Sequence, residues 1–161
     1  MNIFDFAMEM ELEGKAYYQK LAADTADVGL KSIFSTLASD EQKHYDVILS
    51  IKSGTGLNMI DSTVLEEAKN LFELLITDKK ASVGLKKSLD GYQHARKIEA
   101  DSVTLYEDMA KKEDDPEIVQ LLLRIANEEK KHFNVLDNLC DFVLAPKYYL
   151  AWGEFSNLKE L

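Results

Sequence analysis

A chain of 161 residues, nearly half of them apolar, is long enough to bury the core of one domain. Its formal charge of −10 argues against nucleic acid or an anionic membrane as a partner. No apolar run approaches the ~20 residues of a membrane span, no charged-then-apolar leader opens the chain, and the single cysteine, Cys140, excludes an intrachain disulfide or a paired-cysteine metal knuckle. Cys140 reads as a small buried hydrophobe, and a reducing cytoplasm is the expected location.

With only two prolines, the chain reads as mainly helical. A first helix is expected from about Ile3 to Asp24, with Ala7, Glu11, Gly14, Tyr18 and Leu21 on one face. A second runs from about Gly29 to Lys52, with Phe34, Leu37, Glu41, His44 or Tyr45, and Ile48 inward, and ends at the breaker Ser53-Gly54-Thr55-Gly56. The connection from Ser53 to Lys80 contains a capping-box pattern, Thr63 to Glu66, followed by Leu65, Ala68, Leu71, Phe72 and Leu75 at helical spacing. It is read as a crossover carrying a short helix, which leaves the second and third long helices parallel. The third long helix is expected from about Ser82 to Lys112. The fourth runs from about Pro116 to Phe142, with Pro116 in the first turn and Asp114 or Asp115 as cap. The expectation is a single domain: hairpin one at about 3–52, crossover 53–80, hairpin two at about 81–142 and a tail at 143–161. The aromatic stretch Ala145 to Trp152 is expected to pack on the bundle or on another chain.

The two hairpins repeat one another at an offset of 88 residues. Without a gap, Glu11 falls on Glu99, Tyr18 on Tyr106, Asp27 on Asp115, Glu41 on Glu129, Lys43 on Lys131 and His44 on His132. Two copies are too few for a solenoid, so the repeat implies two hairpins about a pseudo-twofold axis.

The repeated unit carries metal-binding chemistry. Glu41-Gln42-Lys43-His44 and Glu129-Lys130-Lys131-His132 both read E-x-x-H, which places a carboxylate and an imidazole on one helix face a turn apart. One E-x-x-H is weak evidence, because a Glu-rich helix produces such pairs on its solvated face. Two in register, each with a glutamate thirty residues upstream on an apolar stripe, are much stronger, and they use two of the three histidines. Glu11, Glu41, His44, Glu99, Glu129 and His132 are therefore the candidate metal ligands. Four carboxylates and two imidazoles suit a two-metal site in a helical bundle, and the metal ions would supply the charge that four buried carboxylates lack. Iron, manganese and zinc all accept this donor set.

Tyr18 and Tyr106 lie two turns beyond Glu11 and Glu99 on the same faces. Each reads equally as plain core with a satisfied hydroxyl or as a donor that orients a carboxylate. His94 reads as a surface or packing residue, and Glu9 and Glu13 as solvated. Asp40 and Glu128, each one residue before a ligand, are open between solvation and the site. Met8, Met10 and Met109 read as core filler.

The pattern Glu11…Tyr18…Glu41-x-x-His44…Glu99…Tyr106…Glu129-x-x-His132 resembles the rubrerythrin branch of the ferritin-like superfamily over nearly the whole chain. Pro146 to Phe155 is also similar to the tail of short rubrerythrin-related proteins. The resemblance implies an all-α, ferritin-like four-helix bundle of two hairpins joined by the long crossover. It implies two iron ions on the six ligands, cycling between ferrous and ferric states with peroxide or dioxygen. Rubrerythrins proper add a rubredoxin module with paired cysteines, absent here, so electrons would come from a separate carrier such as a rubredoxin-like protein. They also place an extra glutamate three residues after the third-helix ligand, where this chain has Ser102. The leading expectation is a diiron oxidoreductase that reduces hydrogen peroxide, with Tyr18 and Tyr106 tuning the ligands in a homodimeric protein. The alternatives are a ferroxidase that uses dioxygen and a metal-stabilised helical module without turnover.

Overall fold

The computed structural model describes residues 2–56, 59–77 and 85–144. These form α1 (Ile3–Asp24), α2 (Val28–Ser53), α3 (Val64–Thr77), α4 (Leu89–Lys112) and α5 (Pro116–Leu144), with a 3-10 turn at Lys86–Ser88 leading into α4. No strand occurs among the described residues, and the fold is the all-helical, ferritin-like bundle that the pattern implies. No helix among them is long and apolar enough to cross a membrane.

Helix ends follow local chemistry. The Asn2 side chain accepts from the Asp5 amide at the start of α1, and Asp27 accepts from the Leu30 amide at the start of α2. Asp115 does the same for Glu117 ahead of Pro116. Gly54 ends α2 at φ 72°, a left-handed conformation that costs glycine little. Two details differ from expectation. The stretch just before α4 is a 3-10 turn at Lys86–Ser88 rather than continuous α-helix, and the expected start at Ser82 lies outside the described residues, as does the tail from 145 onward. At α3 the Thr63 hydroxyl donates to Glu67, one residue beyond the expected capping-box partner Glu66.

The helices pack most extensively as the pairs α1–α2 and α4–α5, and α3 lies against α2 and α5. Tyr18 of α1 meets Glu99 of α4, and Tyr106 meets Glu11, so those two helices are antiparallel. Since α1 and α2 form a hairpin, α2 and α4 run parallel, as the crossover requires. Two apolar layers fill the interior. One contains Leu30, Phe34, Leu37, Phe72, Leu136 and Phe142; the other contains Ala7, Val47, Ile48, Leu122 and Ile125. α3 contributes Val64, Ala68, Phe72 and Leu75 to the first layer. Burying Phe72 alone contributes roughly 1.5–3 kcal/mol, which helps hold the crossover down.

Candidate metal centre

Between the two apolar layers lies a cluster of ionisable side chains shut away from water. Glu11, His44, Glu129 and His132 are fully buried, and Glu99 and Glu41 are 1% and 4% exposed. All six predicted ligands therefore converge, although each helix contributes only one or two of them. His44 Nδ1 lies 3.5 Å from Glu11, 3.5 Å from Glu41 and 3.2 Å from Glu129. His132 Nδ1 lies 3.3 Å from Glu99, 3.1 Å from Glu41 and 3.2 Å from Glu129. The atoms sort into two overlapping groups, Glu11–Glu41–His44–Glu129 and Glu41–Glu99–Glu129–His132, with ligand atoms within 4.8 Å of one another in each. Glu41 and Glu129 belong to both groups.

Each outer carboxylate is tied at one oxygen by a tyrosine from the opposite hairpin. The Tyr18 hydroxyl donates to Glu99 Oε1 and the Tyr106 hydroxyl to Glu11 Oε1, both at 2.5 Å. That leaves Glu99 Oε2 and Glu11 Oε2 without a hydrogen-bond partner. The imidazoles are held in the same way. His44 Nε2 pairs with Glu128 Oε1 at 2.8 Å, and His132 Nε2 pairs with Asp40 Oδ2 at 3.0 Å. A carboxylate on the far nitrogen fixes the ring and leaves Nδ1 facing the cluster.

Asp40 and Glu128, left open by the sequence, are thus 7% and 1% exposed and engaged with the site. A signal for them did exist, since they occupy equivalent positions in the repeat and both are acidic. Two further residues hold the edge of the site: Lys43, whose charge recurs at Lys131 in the repeat, and Ser62, which had no such signal. Lys43 Nζ bonds Glu128 at 2.9 Å and also bonds the Ile60 carbonyl. In the crossover, the Ser62 amide donates to Glu128 at 2.8 Å while its hydroxyl donates to Asp40. His94 is exposed and packs its ring against Tyr17, away from the cluster. Glu9 and Glu13 are exposed, as expected. Met109 is buried, and Met8 and Met10 are partly buried and pack against the second apolar layer, with Met8 also lining a surface groove with Asp5, Glu9, Leu12 and Tyr45.

The electrostatics are those of a cluster short of positive charge. Burial, reinforced by the neighbouring glutamates, pushes Glu41 well up, and burial with the Glu129 charge raises Glu11. The same two causes lift Glu99 to about 7. Burial acts on Glu129 in the same direction, but the two imidazoles beside it outweigh it and hold that carboxyl low. Burial alone would make His44 and His132 less basic; the surrounding carboxylates overcome it and hold both well above the usual range. Asp40 and Glu128 are lowered, because the imidazole each one contacts outweighs its burial.

The donor set fits a pair of divalent cations. Among the described residues, the buried side-chain atoms lacking any hydrogen-bond partner are Glu11 Oε2, Glu41 Oε1, His44 Nδ1, Glu99 Oε2 and both oxygens of Glu129. Every one belongs to a predicted ligand. Buried polar atoms are otherwise nearly always paired, and oxygen with imidazole nitrogen suits iron, manganese or zinc.

Neither a curated protein nor a solved structure matches the chain. A family model does: the Rubrerythrin model matches residues 2–140, most of the sequence and all of the cluster. The chain belongs to the rubrerythrin family.

Proposed function

We propose that this protein is a diiron oxidoreductase that reduces hydrogen peroxide to water with electrons from a separate carrier. The observation that carries the reading is the set of six buried side-chain atoms without a hydrogen-bond partner, all on predicted ligands, which gather in two groups that share Glu41 and Glu129. In this reading Glu11 and His44 would hold one ion and Glu99 and His132 the other, with Glu41 and Glu129 belonging to both ligand groups. Two bound ferrous ions would supply the two electrons needed to cleave an O–O bond, one from each.

The chain's own groups do the rest. Burial of all six ligands excludes bulk water, so the oxidant meets the site in a low-dielectric space where charge interactions are strong. Tyr18 and Tyr106 keep their phenolic protons, because burial and the adjacent carboxylates push both hydroxyls well above their ordinary value. Those protons sit on Oη, 2.5 Å from the ligand carboxylates, and steer Glu99 and Glu11 to present their free oxygens inward. Reduction of H2O2 to two waters consumes two electrons and two protons, so the electron carrier must act in step with proton supply. A cytoplasmic location and a homodimeric assembly accompany this reading.

One observation favours a second reading, oxidation of Fe(II) by dioxygen. Ser102 stands where rubrerythrins proper have an additional glutamate, and its hydroxyl turns back to the Ile98 carbonyl at 3.0 Å and to Met10 Sδ at 3.5 Å. It offers the centre no seventh carboxylate.

The test begins with anaerobic Fe(II) loading and iron counting in the wild type and His132→Ala. Two irons per chain in the wild type, fewer in the variant, and faster oxidation by peroxide than by dioxygen are expected. Equal or reversed rates would favour the dioxygen reading, and little iron in either protein would overturn both.

A further inference from the structure

The centre is sealed, yet on one side a file of aromatic rings connects it to the surface. The His132 ring meets Tyr18 edge-on at 6.4 Å between centroids. Tyr18 meets Tyr17 at 6.4 Å, and Tyr17 meets His94 at 5.4 Å. All three separations lie within the range of aromatic rings in contact. Tyr18 is 3% exposed, Tyr17 is half-buried and His94 is exposed, so the file runs from ligand to solvent in three steps. The Tyr17 ring is also fixed in place. Its hydroxyl donates to the Gly91 carbonyl at 2.9 Å, and a Cβ on Gly91 would come within 3.4 Å of that hydroxyl.

Two comparisons within the molecule single out this file. A second branch leaves Tyr18 through Phe34 at 6.5 Å to Tyr92 at 5.8 Å. It ends there, because Tyr92 is 1% exposed, so that branch stays in the core. The pseudo-twofold mate of Tyr17 is Leu105, so the repeat that supplies Tyr106 has no aromatic residue at the corresponding place. The outward file is therefore a feature of one repeat rather than a consequence of the bundle's symmetry.

We propose that Tyr18, Tyr17 and His94 form the path by which electrons reach the buried centre, and that His94 marks where a one-electron carrier protein delivers them. This rests on the reading of the centre as redox-active. In each passage the carrier is oxidised by one electron and one ferric ion is reduced to ferrous; two passages restore the pair. In delivery no bond is made or broken along the path; under photo-oxidation a tyrosine that loses an electron also hands off its phenolic proton, Tyr18 to the Glu99 carboxylate it already bonds, and takes it back on reduction.

The protein itself offers the means of testing it. His44 and His132 are fully buried, so a ruthenium polypyridyl complex that coordinates histidine attaches at His94. Flash oxidation of the label then draws an electron outward, and transient absorption reads the rate at which the ruthenium recovers. In ferrous-loaded protein, Tyr17→Leu is expected to slow recovery by about tenfold or more, equivalent to ~1.4 kcal/mol in the barrier. Tyr17→Phe, which keeps the ring packing but removes the oxidisable phenol, also slows it, and Tyr92→Phe does not. Metal-free protein gives an independent arm. There the label generates a phenoxyl signal that includes Tyr18, and Tyr17→Leu abolishes the Tyr18 contribution. Recovery unchanged within twofold in both Tyr17 variants, or equal slowing by Tyr92→Phe, would overturn the path. Failure to load iron with the metal-free arm intact would instead sink the diiron reading and leave the path standing as far as Tyr18.

Discussion

Asp40 sits on α2 but holds a histidine on α5, and that crossing makes a sharp prediction. Its carboxylate lies 3.0 Å from His132 Nε2, is 7% exposed and is held ionised by the imidazole it contacts. Asp40→Asn keeps the shape and an acceptor oxygen but replaces a charge-assisted bond with a neutral one. A hydrogen bond to a charged group is worth about 1.5–3 kcal/mol against about 1 kcal/mol for a neutral one. The expected loss is therefore about 0.5–2 kcal/mol, or roughly two- to thirtyfold in affinity for one metal ion. Glu128→Gln should do the same through His44. The assay is an anaerobic competition titration against a chromogenic chelator, run also in a His132→Ala background. There Asp40→Asn should have no further effect, because its coupling to the metal runs through the histidine it contacts. If Asp40→Asn weakens binding equally with and without His132, or leaves affinity within twofold, the crossed bracing does not tune the ligands.

Gly14 supplies a second prediction, since a Cβ there would lie 2.8 Å from Glu41 Oε2, the end of a flexible side chain. Gly14→Ala should displace a carboxylate common to both metal groups and lower metal stoichiometry, while helix propensity raises metal-free stability by roughly 0.5–1 kcal/mol; full metal loading, or a clear fall in metal-free melting temperature, would contradict this. A third concerns pH. Glu99, raised to about 7, keeps in the folded state a proton that the unfolded chain has released, so its stabilising contribution is complete below the ordinary glutamate range and is lost as pH rises through about 7. Glu11, Glu41 and both histidines shift in the same direction, whereas Asp40, Glu128 and Glu129 are lowered and lose their contribution only on acidification. Urea midpoints of chelator-treated protein should fall between about pH 5 and about pH 8, and metal affinity should rise over the same span because the ligands must shed protons to bind. A metal-free midpoint that rises with pH would refute the assignment.

Much of the helical framework was legible because its signals are local. Asp27, Asp115 and Gly54 are caps and breakers that act on their own neighbours, and α1 spans Ile3–Asp24 as expected from its face pattern. The candidate ligands were legible for another reason. The E-x-x-H spacing forces two donors onto one face, and the repeat doubles the signal. Asp40 and Glu128 stayed open because a residue one position from a ligand points about 100° away around a helix; only the packing of α2 on α5 turns each toward the other's histidine. Ser62 carried no sequence signal at all. Its bonds to Asp40 and Glu128 reach 22 and 66 residues along the chain and depend on where the crossover is laid down. The aromatic file was equally hidden, since Tyr17 and His94 meet only through the docking of α1 on α4.

The braces around the centre share one property. Tyr18 reaches Glu99, Tyr106 reaches Glu11, Asp40 reaches His132 and Glu128 reaches His44, so each of these bonds joins one hairpin to the other. A single hairpin thus carries half of a lock and half of a key, and is self-complementary about a twofold axis. Two identical hairpin peptides meeting back to back would regenerate all six candidate ligands and all four braces. In that light the 161-residue chain has the architecture of a symmetric dimer whose halves have been joined end to end. Such a joined chain lets the two halves differ in sequence, as at Tyr17 against Leu105 and Gly14 against Ser102.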